Sequence, residues 1–462
     1  MRVGAWLLAS ALISGCATIR PERGHDEVAT LVKERAGADT GWAAGSPEAE
    51  KVAERVDVLL RDGLTADRAV EIALVNNPSL QATYEELGVS QADMVQAGLL
   101  TNPSLELSLG FPLSGSAGIN EHEFSIVQEF LDLFMLPLKT KVANEQFVAD
   151  TLRVAHEALT TAAEVRKEVI ELQTLQQLLE FQRMLRTAAQ AAGDLAVAQY
   201  RAGNITDLEV AARRADAEQA RVDLAQSEFT IVATRESLNR HLGLWGPRTS
   251  WNLKQKLAEL PRAEPEFERL ESLAIRQRLD IVAARKQAAL MRQGADLART
   301  WRWFGRVEVG AHTHQDADGP RLLGPTLTLD LPLFDQRQAL IARLEAQQRQ
   351  GERRLAALSV NARSEVREAQ ANLAAARQLV LHLKDTVMPL RERVLEQAQL
   401  QYNGMQIGLY QLLEAKRDQI GSSRDHLEAL RRYWVARVEL ERIVGGKIGP
   451  ATKEESDDHP NH

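Results

Sequence analysis

The chain is poor in cysteine, in aromatics and in long apolar runs, and each shortage excludes something. One cysteine, Cys16, in 462 residues rules out an internal disulfide and any multi-cysteine metal centre. No apolar stretch reaches the roughly 18 to 20 residues that a spanning helix needs, so a bilayer, if occupied, is not crossed by helices. Nor is there a basic excess: 56 Lys and Arg stand against 64 Asp and Glu, a net charge of −8. A sequence-independent nucleic-acid binder, whose affinity comes from phosphate neutralisation, is excluded. A phosphate-binding glycine loop, a His-Glu-x-x-His helix and a serine elbow are all missing, which argues against an enzyme, and nothing points to a cofactor. What remains is 44% hydrophobic residues with 28 Gly and 15 Pro, an ordinary globular composition. The length suits two to four domains or one elongated body with a sizeable core.

Residues 1–16 read MRVGAWLLASALISGC: a charge at Arg2, an apolar stretch from Ala5 to Ile13, then small residues before Cys16. This is the pattern of a signal peptide. Ile13-Ser14-Gly15-Cys16 resembles the bacterial lipobox, which implies a signal peptide over 1–15, cleavage before Cys16, and lipid attachment at that cysteine. Two or more acyl chains anchor stably where one does not. Ala17, rather than Asp, after the cysteine implies sorting to the outer membrane. A general secretory signal with an incidental cysteine is the alternative.

The body of the chain is a duplication. Asn77-Pro78-Ser79-Leu80 aligns with Arg278-Leu279-Asp280-Ile281 at an offset of 201, and Gln199-Tyr200-Arg201-Ala202-Gly203-Asn204-Ile205 with Gln401-Tyr402-Asn403-Gly404-Met405-Gln406-Ile407 at 202. Each half reads as helix, strand, strand, long helix, turn, helix. The expected division is an N-terminal anchored extension over 16–64, a first repeat over 65–243, a linker over 244–266, a second repeat over 267–445 and a disordered acidic tail over 446–462.

Strand signals alternate apolar and polar positions. In 104–111 Leu105, Leu107, Leu109 and Phe111 oppose Glu106, Ser108 and Gly110; Phe124 and Ile126 mark 123–130, Val307, Val309 and Ala311 mark 306–312, and Leu327, Leu329 and Leu331 mark 325–331. Period two with one polar face predicts strands wet on one side, and turn-rich connections predict two hairpins, over 104–130 and 306–331. Four such strands fit either a sheet packed on a helix or part of a membrane barrel with apolar residues outward. Trp301, Trp303, Phe304, Phe130, Phe134 and Phe334 flank the strands as an interfacial girdle or a local cap. Pro137 and Pro332 are expected where strand yields to helix. His312-Thr313-His314, followed by Asp316 and Asp318, is expected on a hairpin tip as surface loop, with no metal assigned.

From about Lys139 to Tyr200 no proline intervenes, and apolar positions from Val148 to Leu179 recur about every 3.4 residues, near a heptad. At 1.5 Å per residue such a helix spans ~90 Å. Helices over roughly 65–100 and 206–242 flank it; the second half repeats this with 336–402, interrupted near Met388-Pro389, and with 268–300 and 409–443.

In order and spacing these features resemble the TolC-like outer membrane efflux protein family, with the Gln-Ala-Gly-Leu-Leu-Thr-Asn-Pro run at 96–103 closest to its heavy-metal branch. The resemblance implies a mainly α fold: a long coiled-coil barrel plus four strands per chain, three sets of which close a transmembrane β-barrel in a homotrimer. It implies an exit duct spanning outer membrane and periplasm, with a periplasmic adaptor and an inner-membrane pump such as an RND transporter as partners. Tyr200, Gly203, Tyr402 and Gly404 would form the tip turns that meet the adaptor. Asp207, Glu209, Gln411 and Glu414 would line the periplasmic aperture, Gln411 departing from the family's acidic pattern. Trp301, Trp303, Phe304, Phe134 and Phe334 would sit at the membrane interface. A periplasmic coiled-coil lipoprotein without a pore, an adaptor or envelope spacer, is the alternative.

Overall fold

Four alternating segments pair into one antiparallel sheet, ordered β1 (Ser104–Gly110), β2 (Glu121–Glu129), β3 (Val307–Asp316), β4 (Leu322–Leu329). This was established in a computed structural model that describes residues 22–43, 46–110, 121–262, 269–303, 305–316 and 320–448. Cys16, the leader, Phe304, Asp318 and the tail beyond residue 448 lie outside the described residues. Both expected hairpins form, with Leu107 opposite Phe124 and Val309 opposite Leu327. They join through β2 and β3, where Ile126 faces Ala311. β1 and β4 are left as open edges.

The strands of the second hairpin run closer to its tip than the sequence suggests, over Val307–Asp316 and Leu322–Leu329 rather than 306–312 and 325–331. His312 and His314 were expected at its tip, but both lie inside the β3 ladder, opposite Gly324 and Leu322. Thr and His tolerate extended backbone, so polar residues at the end of an apolar alternation continued the strand rather than ending it.

The helices follow the duplication. The first repeat holds α3 (Ala66–Asn76), α4 (Pro78–Ala97), α5 (Leu131–Arg201) and α6 (Asp207–Leu242). The second holds α7 (Leu270–Gln277), α8 (Leu279–Thr300), α9 (Gln338–His382), α10 (Met388–Asn403) and α11 (Leu409–Val444). Before them, α1 (Glu22–Ala36) and α2 (Ser46–Arg61) order much of the N-terminal extension, which the sequence reading left without structure. Among the described residues no helix is long and apolar enough to cross a membrane.

Three breaks interrupt the helices, two of them at prolines. Asn77 leaves helical geometry, at ψ 117°, because a residue before proline avoids the α region. Its side chain then caps α4, accepting from Ser79 N and Leu80 N at 2.8 and 3.2 Å. Arg278 repeats the break at ψ 121° without a proline, so the expected single helices over 65–100 and 268–300 are each two. The third break is a π turn at Leu383–Val387, where Met388 N–H reaches Leu383 O; Pro389 cannot donate, and the ladder shifts register just before it. Pro137, in contrast, does not mark a strand-to-helix boundary. It lies inside α5, which already begins at Leu131.

Equivalent glycines close both repeats. Gly243 (φ 65°) caps α6 beside the Asn77 break, and Asn76 Nδ2 donates to Leu242 O and Gly243 O at 2.8 and 3.0 Å. Gly445 (φ 92°), 202 residues on, caps α11 beside Arg278. Only glycine adopts these left-handed angles without strain.

The chain resolves into two compact units. One contains the sheet with the adjoining parts of the helices, among the described residues 22–28, 85–154 and 280–358, and buries Leu87, Phe147, Val154, Ile281 and Leu290. The other is helical. Its core gathers Ala274, Val366, Leu373, Val380, Leu430, Tyr433 and Leu440, and charged pairs bridge its helices. Lys167 meets Glu439, and Arg278, itself buried, lies 2.5 Å from Glu365. Burial raises the Glu439 carboxyl, but hydrogen bonds from Arg442 and Lys167 prevail and hold it below the usual range. Glu441, buried with weaker compensation, is pushed above it. Arg35 at the end of α1 donates to Gly445 O at 3.1 Å and to Gln277 O, and Arg166 donates to Ala36 O at 3.0 Å, so α1 is fastened where the second repeat closes.

Candidate functional site: the strand face and the helical turns

The sheet is inside out for a water-soluble protein. Directly opposed residues in an antiparallel ladder share a face, so the register assigns Leu105, Leu107, Leu109, Phe124, Ile126, Val309, Leu327 and Leu329 to one side. These apolar residues are the exposed ones: Leu105 is 63% exposed, Leu107 61% and Leu327 63%. On the opposite face Ser125 is 9% exposed and Glu308, His312 and Thr326 are half-buried, so on β2 to β4 it is the more covered; Glu106 on the edge strand β1 is exposed. A contiguous exposed apolar face of this kind marks a lipid or protein contact, and outward apolar alternation with a polar inner side is the pattern of a transmembrane barrel wall.

Aromatic residues collect at the end of the sheet where the strands meet the helices. Phe130 and Phe134 follow β2 and stack edge to face with centroids 5.3 Å apart. Trp301 and Trp303 precede β3, and the Arg302 guanidinium lies 4.5 Å from the Trp303 ring centre. Phe334 follows β4 and is almost fully exposed.

The two helical turns share one geometry reached by different residues. In the first, Gly203 takes φ 77° and Asn204 N bonds Gln199 O at 2.9 Å. In the second, Gln406 N bonds Gln401 O at 2.8 Å, but the left-handed position falls on Met405, at φ 57°. Gly404 was expected as the turn glycine; it sits at φ −80° and occupies the position of Ala202, one residue early. Met405 is 94% exposed, so its side chain points into open space.

The residues after the turns divide by role. Thr206 caps α6 in a capping box: Glu209 N donates to its hydroxyl at 3.3 Å, and Glu209 Oε2 accepts from Thr206 N at 2.8 Å and its hydroxyl at 3.0 Å. The backbone bond first, then the hydroxyl, hold the Glu209 carboxyl below its usual range. Gln411 is its counterpart 202 residues on, accepting from Gly408 N at 3.1 Å; Gly408 has no hydroxyl, so half the box is present. Gln411 thus retains the capping function of a carboxylate without its charge. Asp207 is exposed on the first turn of α6, and Glu414 is exposed one turn further into its helix, on the second turn of α11. Tyr200 is exposed and Tyr402 half-buried.

One residue that joins the turns was not anticipated. Tyr410 Oη donates to Gln199 Oε1 at 2.9 Å, and the Arg213 guanidinium lies 4.8 Å from its ring centre. The two repeats are therefore locked together just behind their turns. Tyr410 stands where the first repeat has Leu208, an asymmetry that the duplicated pattern alone could have flagged.

Comparison with known proteins gives a consistent result. Residues 69–244, nearly the whole first repeat, match the family described as outer membrane efflux protein. The chain is 22% identical over 390 residues to the cobalt-zinc-cadmium resistance protein CzcC of Cupriavidus metallidurans, covering 83% of this chain and 90% of that one. Among solved structures it superposes on the Campylobacter jejuni CmeC outer membrane channel with a TM-score of 0.72 at 14% identity, covering 85% and 88% of the two chains. On CusC, whose structures describe folding and transmembrane channel formation, the TM-score is 0.66 at 17% identity, with 85% and 92% covered. The resemblance read from the sequence and the mainly α fold with a small sheet are borne out.

Proposed function

We propose that this chain, whose residues 69–244 match the outer membrane efflux protein family, is the outer membrane exit duct of a tripartite efflux system. Three copies assemble as a homotrimer, each lending its four strands to one transmembrane barrel and its long helices to a tunnel through the periplasm. The duct conducts passively; an inner-membrane pump of the RND kind supplies the energy, and a periplasmic adaptor docks at the turns around Tyr200, Gly203, Tyr402 and Gly404. Cys16 carries the lipid anchor. Asp207 and Glu414, three of each, ring the aperture, where clustered carboxylates attract cations and repel one another. The likeness to a cobalt-zinc-cadmium resistance protein favours divalent metal ions as cargo.

The observation that carries this reading is the sheet: an exposed apolar face, a more covered polar face and two open edges. Unpaired edges invite further strands, and in lipid only closure satisfies them. The test is the mass and heat-modifiability of the protein extracted in detergent from outer membranes. A heat-sensitive trimer is expected. A monomer released by delipidation alone would favour an envelope spacer.

A further inference from the structure

The polar face of the sheet carries one side-chain group that conduction does not use. His312 and His314 lie two residues apart in β3 and share that face. Glu123 stands directly opposite His314, and Ser125 opposite His312, a separation of about 5 Å between Cβ atoms. The His312 ring is held in place: its Nδ1 is 2.9 Å from Thr326 Oγ1 on β4. The ring also lies over Gly324, where a Cβ would come within 3.2 Å of its Cε1, so the missing side chain is what lets the imidazole lie across the strand. With Nδ1–H donating to Thr326, the tautomer leaves the lone pair on Nε2. This is how metal-binding histidines are prepared, with the second ring nitrogen oriented by an oxygen partner.

We propose that His312 and His314, joined by Glu123 after a rotamer change, bind a divalent transition-metal ion of the zinc and cobalt class on the polar face of the sheet, with Thr326 as a positioning residue. Two imidazoles and one carboxylate favour zinc, cobalt and copper over magnesium or calcium. That this site faces the lumen, in three copies around the pore, rests on the duct reading; the site itself needs only the sheet. Among the described residues no three His, Cys, Asp or Glu side chains already form a finished metal centre. The site is therefore open, with the histidines presented and the carboxylate recruited. A conduit requires that weakness, because an ion must enter a site readily and also leave it.

The test uses the full-length protein in detergent, titrated with Zn2+ against a chromophoric chelator, with Mg2+ as the hard-cation control. His312→Ala/His314→Ala is expected to weaken the strongest site at least tenfold. Thr326→Val, which keeps both ligands, is expected to weaken it about tenfold with an unchanged melting temperature. Unchanged Zn2+ affinity in the double variant overturns the proposal and moves the metal elsewhere, for instance to His459 and His462; so does Mg2+ competing on equal terms. Conductance of the same preparation in planar bilayers scores the duct separately. Pores without the metal site defeat this proposal alone, and the metal site without pores supports it while defeating the duct.

Discussion

Leu107→Arg is the sharpest probe of which way the sheet faces. Leu107 is the middle residue of β1, opposite Phe124, and is exposed on the apolar face. If that face meets hydrocarbon, an arginine near the bilayer midplane costs roughly 2–4 kcal/mol per copy. A trimer meets that cost three times, about 6–12 kcal/mol in all, enough to abolish assembly. The neighbouring change Glu106→Arg, on the polar face, should cost less than about 1 kcal/mol, as surface substitutions do. A third variant separates lipid from a buried protein contact: Leu107→Trp should be tolerated in lipid, whereas overpacking a protein core costs roughly 1–3 kcal/mol. The assay is the yield of heat-modifiable trimer in the outer membrane fraction. The reasoning is refuted if Glu106→Arg is as damaging as Leu107→Arg, or if Leu107→Arg assembles normally.

Further outcomes follow from the turns and caps. Gly203→Ala and Gly243→Ala place a side chain at similar positive φ, but only at Gly243 would the new Cβ lie 2.3 Å from a backbone oxygen, that of Asn76. Thermal melts should show about 1 kcal/mol lost at Gly203 and distinctly more at Gly243. Thr206→Ala should destabilise by about 1 kcal/mol, measured by denaturant unfolding, and Gln411→Ala by less, since its box is half formed. His426, whose Nδ1 is buried without a hydrogen-bond partner, has its pKa lowered by burial, with Lys384 adding to the effect and Glu259 and the Val380 carbonyl opposing it. The unfolded chain then takes up this proton before the folded one does. Its contribution to stability is present above about pH 6.5 and is lost as pH falls through the lower folded value. Melts at pH 7 and pH 5 should differ less for His426→Leu than for the wild type.

Much of the fold was legible in the sequence because it is written in period and repetition. Strict alternation at Leu105, Leu107 and Leu109 fixes which side of β1 is apolar, and the offset of 202 between Tyr200 and Tyr402 locates both turns. What escaped depends on tertiary partners or on one-residue shifts. Gly404 is named with Gly203 as a tip-turn residue, but the hydrogen-bonded frame places the left-handed angle on Met405. Arg278 breaks its helix without proline, held by Glu365 and by the cap at Gly445, neither adjacent in sequence. Val28, Leu31 and Val32 carry the helical spacing of α1, a short signal next to the lipobox. Asp207, Glu209, Gln411 and Glu414 were grouped by motif as aperture residues, yet Glu209 and Gln411 are engaged with the backbone. A family motif does not distinguish a carboxylate facing a lumen from one capping a helix.

The central claim is that copies of this chain form a pore narrowed by Asp207 and Glu414. It is tested most directly by single-channel recording of the purified full-length protein in planar bilayers. Discrete current steps are expected, and they enlarge in the Asp207→Ala/Glu414→Ala variant as the acidic constriction is relieved. Silence from properly assembled protein, or steps of the same size in both, would contradict it.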